Sequence, residues 1–118
     1  MITTYKELRE TLKYEKPLYP NSFFDYLTNN QRVYNWRFIK LLRYTEYCRN
    51  NMEHNLLFRI LYVYFRRKKN TLGVKIGVEI DAGTFDKGVI IHHNGNIVVN
   101  SNAKIGKDCQ LHGDNCIG

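Results

Sequence analysis

Cysteine is scarce in this chain. Cys48, Cys109 and Cys116 are odd in number and form no CxxC pair, so neither a disulfide framework nor a cysteine-based zinc site is expected. Proline occurs only at Pro17 and Pro20, beside Asn21 and Ser22, which marks a single break between helices. No apolar run reaches the roughly 18 residues of a membrane span, and Met1 is followed by Ile2, Thr3, Thr4, Tyr5 and Lys6 with no apolar signal core. The expected setting is cytoplasmic and reducing. Acidic residues are few, 11 against 18 Lys and Arg, for a formal charge of +7. No Gly-aromatic RNA signature accompanies that charge, and nucleic acid is not an expected partner.

The excess charge belongs to the first half. Arg59, Arg66, Arg67, Lys68 and Lys69 cluster, whereas the stretch from Asp81 onward sets Lys87, Lys104 and Lys107 against Asp81, Asp86, Asp108 and Asp114. The apolar run Leu56, Leu57, Phe58, Ile60, Leu61, Val63 and Phe65 ahead of Arg66, Arg67, Lys68 and Lys69 has the texture of an interfacial helix end, so a non-catalytic membrane-surface binding role, with peripheral membrane contact, is an alternative function to test. The same cations also complement the dipole at a helix C-terminus. At 118 residues one core is feasible, but two dissimilar halves would each be marginal alone, and partner chains or further residues are expected.

Residues 1–70 read as an α-helical domain. Thr4 precedes a short amphipathic segment with Leu8 and Leu12, and Ser22 is placed to cap a second segment with Phe24, Tyr26 and Leu27. Trp36, Ile39, Leu42, Tyr47 and Cys48 share one face of a third, and a fourth runs from about Met52 to Phe65. The many tyrosines read as core.

After Asn70 the texture changes, and residues 71–118 form the second unit. Phe85, Ile91, Val99, Ile105, Leu111 and Ile117 follow one another in steps of six, eight, six, six and six. Two positions before each later anchor stand Val89, Ile97, Ala103, Cys109 and Asn115, a second inward row in which Cys109, like Cys116 elsewhere in the repeat, acts as a small packing residue. A period of six predicts short flat strands and bends, each strand stacking parallel on the one a coil away. Asn100, Asn102, Gly106 and Gly113 are the expected left-handed bends. The competing reading is an antiparallel hairpin turning at Asn94–Gly95; it leaves the steps from Val99 to Ile117 unexplained.

The segment VEIDAGTFDKGVIIHHNGNIVVNSNAKIGKDCQLHGDNCIG, Val78 to Gly118, resembles the first coils of serine acetyltransferase-like enzymes, most closely the branch of capsule, exopolysaccharide and lipopolysaccharide biosynthesis. Ile97 to Cys109 is its most specific part. The resemblance implies an α+β chain, an N-terminal α-helical domain followed by the first coils of a left-handed parallel β-helix, that transfers acetyl from acetyl-CoA to a hydroxyl without a metal. It also implies a homotrimer when complete, with most acetyl-CoA contacts and the solenoid cap beyond Gly118, so that the fragment alone is expected to be inactive.

The family's general base falls on His93. An alcohol is a poor nucleophile until a base takes its proton, and imidazole titrates near neutrality. The carboxylate that orients this base in the family matches Glu79, with Asp81 two residues on as the reserve and as a substrate contact. The eight-residue step from Ile91 to Val99 places His92 and His93 in a local extrusion. His92 stands where the family has an Asp that contacts the amino-acid acceptor. L-serine is the standard acceptor; the change at His92 favours a sugar hydroxyl of a surface polysaccharide as the alternative. His112 and His54 read as structural or surface residues.

Overall fold

The computed structural model describes residues 2–53 and 55–118; the expectation for His54 falls outside them. Four α-helices and five short strands make up a mixed α+β chain among the described residues. Helix α1 (Tyr5–Glu15) starts at Thr4, whose hydroxyl accepts from the Glu7 N–H at 3.1 Å while the Glu7 carboxylate accepts from the Thr4 N–H at 3.2 Å. A 3₁₀ turn (Lys16–Leu18) holds Pro17 where no amide donor is needed. Ser22 and Asp25 form the same reciprocal cap on α2 (Phe23–Leu27). Helix α3 (Gln31–Asn51) buries Trp36, Phe38, Ile39, Leu42 and Cys48.

Helix α4 (Leu56–Ile76) continues well past Phe65 and through the change of texture at Asn70. Arg66 to Lys69 are good helix formers. Gly73 extends the contact: a Cβ there would strike the Val78 carbonyl oxygen and approach the Phe38 ring. The helix stops at Gly77, whose φ of 73° lets its N–H turn back to the Gly73 carbonyl. One apolar cluster runs from Trp36, Phe38 and Leu42 of α3 into Val78, Phe85, Ile91 and Val99.

The strands pair only in parallel among the described residues. β1 (Val78–Glu79), β3 (Ile97–Val99) and β5 (Cys116–Ile117) form one sheet, with Val78 beside Ile97 and Val99 beside Ile117. β2 (Ile90–Ile91) pairs with β4 (Gln110–Leu111), and Phe85 bridges Ile105. Each residue thus meets one 18 to 20 positions later, the span of three hexapeptides. No hairpin forms at Asn94–Gly95, because β2 and β3 belong to different sheets. Phe85, Ile91, Val99 and Leu111 are buried, as are Val89 and Ile97 of the second row; Ile105, Ile117, Ala103 and Cys109 pack against them.

Two expectations about the repeat are corrected. The left-handed bends are not at Asn100, Asn102 or Gly106. Most occur in matching pairs on successive coils, Gly88 with Asp108, Gly95 with Gly113 and Asn96 with Asp114, while Gly83 has no left-handed match. At Asn100 the bend is made instead by its side chain accepting from the Asn102 N–H at 2.8 Å. Cys116 faces outward, since it neighbours the inward Ile117 on a strand whose side chains alternate.

Among the described residues no earlier strand covers the edge of the first coil, and the helices close it with side chains. Arg43 lies at the centre, wholly buried. It donates to both Glu15 oxygens at 2.9 and 2.6 Å, to Glu46 at 2.7 Å, and to the carbonyls of Phe85 and Asp86 at 3.0 Å each. Glu15 in turn accepts from the Gly88 N–H. Tyr19 donates to the Val89 carbonyl and accepts from the Ile91 N–H; Asn35 donates to the Ile91 carbonyl; Arg49 and Lys69 donate to Ala82 and Ile80. Backbone groups that an open edge would leave unpaired therefore find partners on α1, α3, α4 and the segment carrying Tyr19.

Candidate active site

Strand register identifies the irregular corner. Between Ile91 and Val98 the first coil takes seven steps, where the second takes five between their partners Leu111 and Cys116. The two additional residues lie in the stretch His92–Asn96, which leaves one sheet and enters the next. Below it the second coil turns more tightly through Gly113 and Asp114, both left-handed. The Asp114 N–H donates to the Gly95 carbonyl at 3.0 Å and Asn96 donates to the Asp114 carboxylate at 2.9 Å. A side-chain hydrogen bond ties the extrusion to the helices: Gln31, first residue of α3, donates to the Asn94 side chain at 2.6 Å.

Both histidines of this corner are exposed. The His92 N–H donates to the Leu111 carbonyl at 2.8 Å, which keeps its backbone in the ladder. Its ring stacks on His112 with centroids 4.6 Å apart and planes 12° from parallel, and its Nε2 lies 3.1 Å from Gln110 Oε1. In the tautomer protonated on Nε2, His92 donates to Gln110 and keeps Nδ1 as an acceptor. No side-chain hydrogen bond or ion pair holds the His93 ring among the described residues. Of the two, the structure orients His92.

Glu79 and Asp81 do not reach this corner by any hydrogen bond or ion pair among the described residues. Glu79 points outward from β1 opposite Val98. Asp81 is engaged by Lys69, whose Nζ lies 3.4 Å from Oδ1 and 2.6 Å from the Ile80 carbonyl oxygen. Burial pulls the Lys69 ammonium below the usual lysine range, and the Asp81 charge partly offsets that pull. Asp81 thus serves a structural ion pair, and Lys69, read from sequence as one of a basic cluster at a helix end, is buried. His112, expected to be structural, forms the lower ring of the histidine stack. Gln31 and Gln110 were not singled out in the sequence, and Asn94 only as a hairpin turn; the steps of the repeat, carried one coil forward, would have placed Gln110 and His112 under the extrusion.

A cleft of about 680 Å³ opens elsewhere, between α1, α3 and the coil segments near Gly83–Lys87 and Lys104–Lys107. Its cations are largely engaged: Lys104 donates to the Gly83 carbonyl, Lys87 sits over the Tyr14 ring, and Arg43 and Glu46 are paired. It contains no histidine. The exposed imidazoles His92, His93 and His112 lie instead at the extruded corner. Among the described residues no group of three or more His, Cys, Asp or Glu side chains is arranged to hold a metal ion, and no helix is long and apolar enough to cross a membrane.

No protein-family model, curated protein or solved structure matches this chain.

Proposed function

We propose that the chain acts as an acetyl-CoA-dependent O-acetyltransferase, its strands coils of a left-handed parallel β-helix and His93 the general base. The observation that carries this reading is the two-residue extrusion around His92 and His93, set in a frame of parallel strands that repeat every 18 to 20 residues. It lifts imidazoles clear of the packed coil, where an acceptor hydroxyl can approach. The base takes the hydroxyl proton as oxygen attacks the thioester carbonyl, and the released CoA thiolate is then protonated.

His92, oriented by Gln110 and stacked on His112, contacts the acceptor in this reading. An imidazole there offers a donor or acceptor rather than the fixed negative charge that would hold an amino group, which favours a sugar hydroxyl over L-serine. Glu79 remains the proposed orienting carboxylate, with Asp81 already committed to Lys69. Acetyl-CoA contacts and a homotrimeric assembly belong to the same proposal.

The test is release of CoA thiol by the gene product that carries residues 1–118, supplied with acetyl-CoA and either L-serine or a panel of nucleotide sugars. His93→Ala should lower turnover by about 10²–10⁴-fold, the range for loss of a general base. His92→Ala should act mainly on acceptor KM. Turnover unchanged by His93→Ala would remove His93 from the reaction; absence of transfer to any hydroxyl would overturn the proposed activity.

A further inference from the structure

Helix α4 has two working faces, and the chain itself uses only one. On the inner side Phe65 stacks on Tyr44 with centroids 5.3 Å apart, Phe58 meets Tyr47 edge-on at 5.4 Å, and Lys69 and Gly73 contact the first coil. On the outer side Leu56, Ile60 and Val63 are 71%, 59% and 64% exposed, and Val74 is 85% exposed. Spacings of four, seven and eighteen residues from Leu56 place these side chains along one line of a helix. From Leu56 to Val74 that line is about 27 Å long at the usual rise per residue.

Charge around the line has one sign. Helix α4 contains Arg59, Arg66, Arg67, Lys68, Lys69 and Lys75 and no acidic residue. Arg67 falls on the apolar line itself, while Lys68 and Lys75 lie along one flank with Tyr64, and Arg59 lies on the other. Long basic side chains beside an apolar stripe can keep their stems against hydrocarbon and their heads at the level of phosphates, and a tyrosine suits the same boundary.

We infer that the outer face of α4 docks on an anionic lipid bilayer, lying in the interface with the Leu56–Ile60–Val63 stripe inserted among the acyl chains and Arg67 and Lys68 on the headgroup phosphates. Charge decides this occupant over others. Two copies of the chain meeting through this face would set cations against cations with no carboxylate on the helix to relieve them. A nucleic acid would satisfy the cations and leave the apolar stripe in water. An anionic membrane satisfies both at once. The inference stands independently of acetyl transfer, although it would place a surface-polysaccharide acceptor and the chain on the same membrane.

The experiment is co-sedimentation of the chain with vesicles of phosphatidylcholine alone or mixed with phosphatidylglycerol, together with sedimentation velocity in the absence of lipid. Binding to the mixed vesicles is expected, weakening as salt is raised. Each cation near an anionic leaflet strengthens binding about fivefold, so Arg67→Ser with Lys68→Ser should weaken it on the order of 25-fold. Ile60→Ser with Val63→Ser should weaken it roughly tenfold or more through lost apolar burial. All four positions are exposed, so circular dichroism should be unchanged. Equal binding to neutral vesicles, indifference to either double substitution, or no vesicle binding would each overturn the inference. Lipid-free self-association that Ile60→Ser with Val63→Ser abolishes, without vesicle binding, would assign the face to a second copy instead.

Discussion

Replacing Arg43 with Met tests whether the helices and the first coil are held together by the buried charge network. Arg43 and Glu15 are almost completely removed from solvent, with side chains 2% and 0% exposed, and the two meet at 2.6 Å. Burial by itself would lower the affinity of the guanidinium for its proton, but Glu15 and Glu46 raise it, so the group stays charged. Met keeps the stem and loses five donors. Stranding buried carboxylates costs about 3–5 kcal/mol, and leaving the Phe85 and Asp86 carbonyls without a partner adds about 1–3 kcal/mol for each. Water entering the vacated space makes these costs overlap, so the expected loss is on the order of 5 kcal/mol, against a total stability of roughly 5–15 kcal/mol for a domain. Urea unfolding followed by circular dichroism measures it. Arg43→Lys keeps the charge without the fork and should lose about 2 kcal/mol. Adding Glu15→Gln to Arg43→Met should recover part of the loss. Arg32→Ala, which breaks the half-exposed pair with Asp25 at 3.6 Å, should cost no more than about 1 kcal/mol. If Arg43→Met cost as little as Arg32→Ala, the network would not be what joins the two parts.

Tyr19→Phe removes both bonds that its hydroxyl makes with the first coil and should destabilise by about 1–3 kcal/mol in the same urea assay. Gly77 and Gly95 separate two costs: both have positive φ, but a Cβ on Gly77 would lie 2.9 Å from the Gly95 Cα, whereas one on Gly95 meets nothing within 4 Å. Gly95→Ala should therefore cost about 1 kcal/mol of backbone strain, and Gly77→Ala distinctly more, as read from urea midpoints. Burial pushes the Glu46 carboxyl above the usual range, against the pull of Arg43. A raised carboxyl favours the fold most below its unfolded value near 4.5, and that contribution fades as pH rises through the folded value. Glu46→Gln lacks the titration, so the difference in Tm between variant and wild type should shift in favour of the variant as pH rises from about 4 to 7.

Local rules made much of this fold readable. Thr4 and Ser22 are capping residues with an acid three positions on, and both cap as their neighbours require. The six-residue steps put Phe85, Ile91, Val99 and Leu111 inside because a repeated apolar position has only one core to face. Information carried across the chain was harder to read. Glu15, Arg43, Glu46 and Lys69 look like surface residues in a basic, helix-forming stretch, since charged side chains are rarely buried unless paired. Arg43 and Glu15 meet across 28 residues and reach the first coil at Phe85, Asp86 and Gly88, Lys69 reaches Ile80 and Asp81, and Glu46 is held through Arg43. The same coil explains why α4 extends to Ile76: Gly73 resembles a helix breaker in isolation and becomes a close-packing residue once Val78 and Phe38 are beside it.

At the corner, the unequal step between Ile91 and Val99 was visible as a number, and the register turns it into two additional residues. What the number does not contain is which histidine is held. Orientation of His92 comes from Gln110 and His112, both one coil later, so it depends on how the second coil lies under the first. Among the described residues the His93 ring receives no hydrogen bond from that coil and none from Glu79, which strand parity turns outward on β1. A general base works best when its ring is fixed, because each freely sampled rotamer dilutes the productive geometry. If His93 is the base, the group that fixes it must therefore come from the acceptor, from a neighbouring copy, or from a rearranged Glu79. If none does, the oriented ring of His92, with Nδ1 open in the tautomer that donates to Gln110, is the better base. Among the described residues, the contacts from Gln110 and His112 that orient His92 have no counterpart at His93.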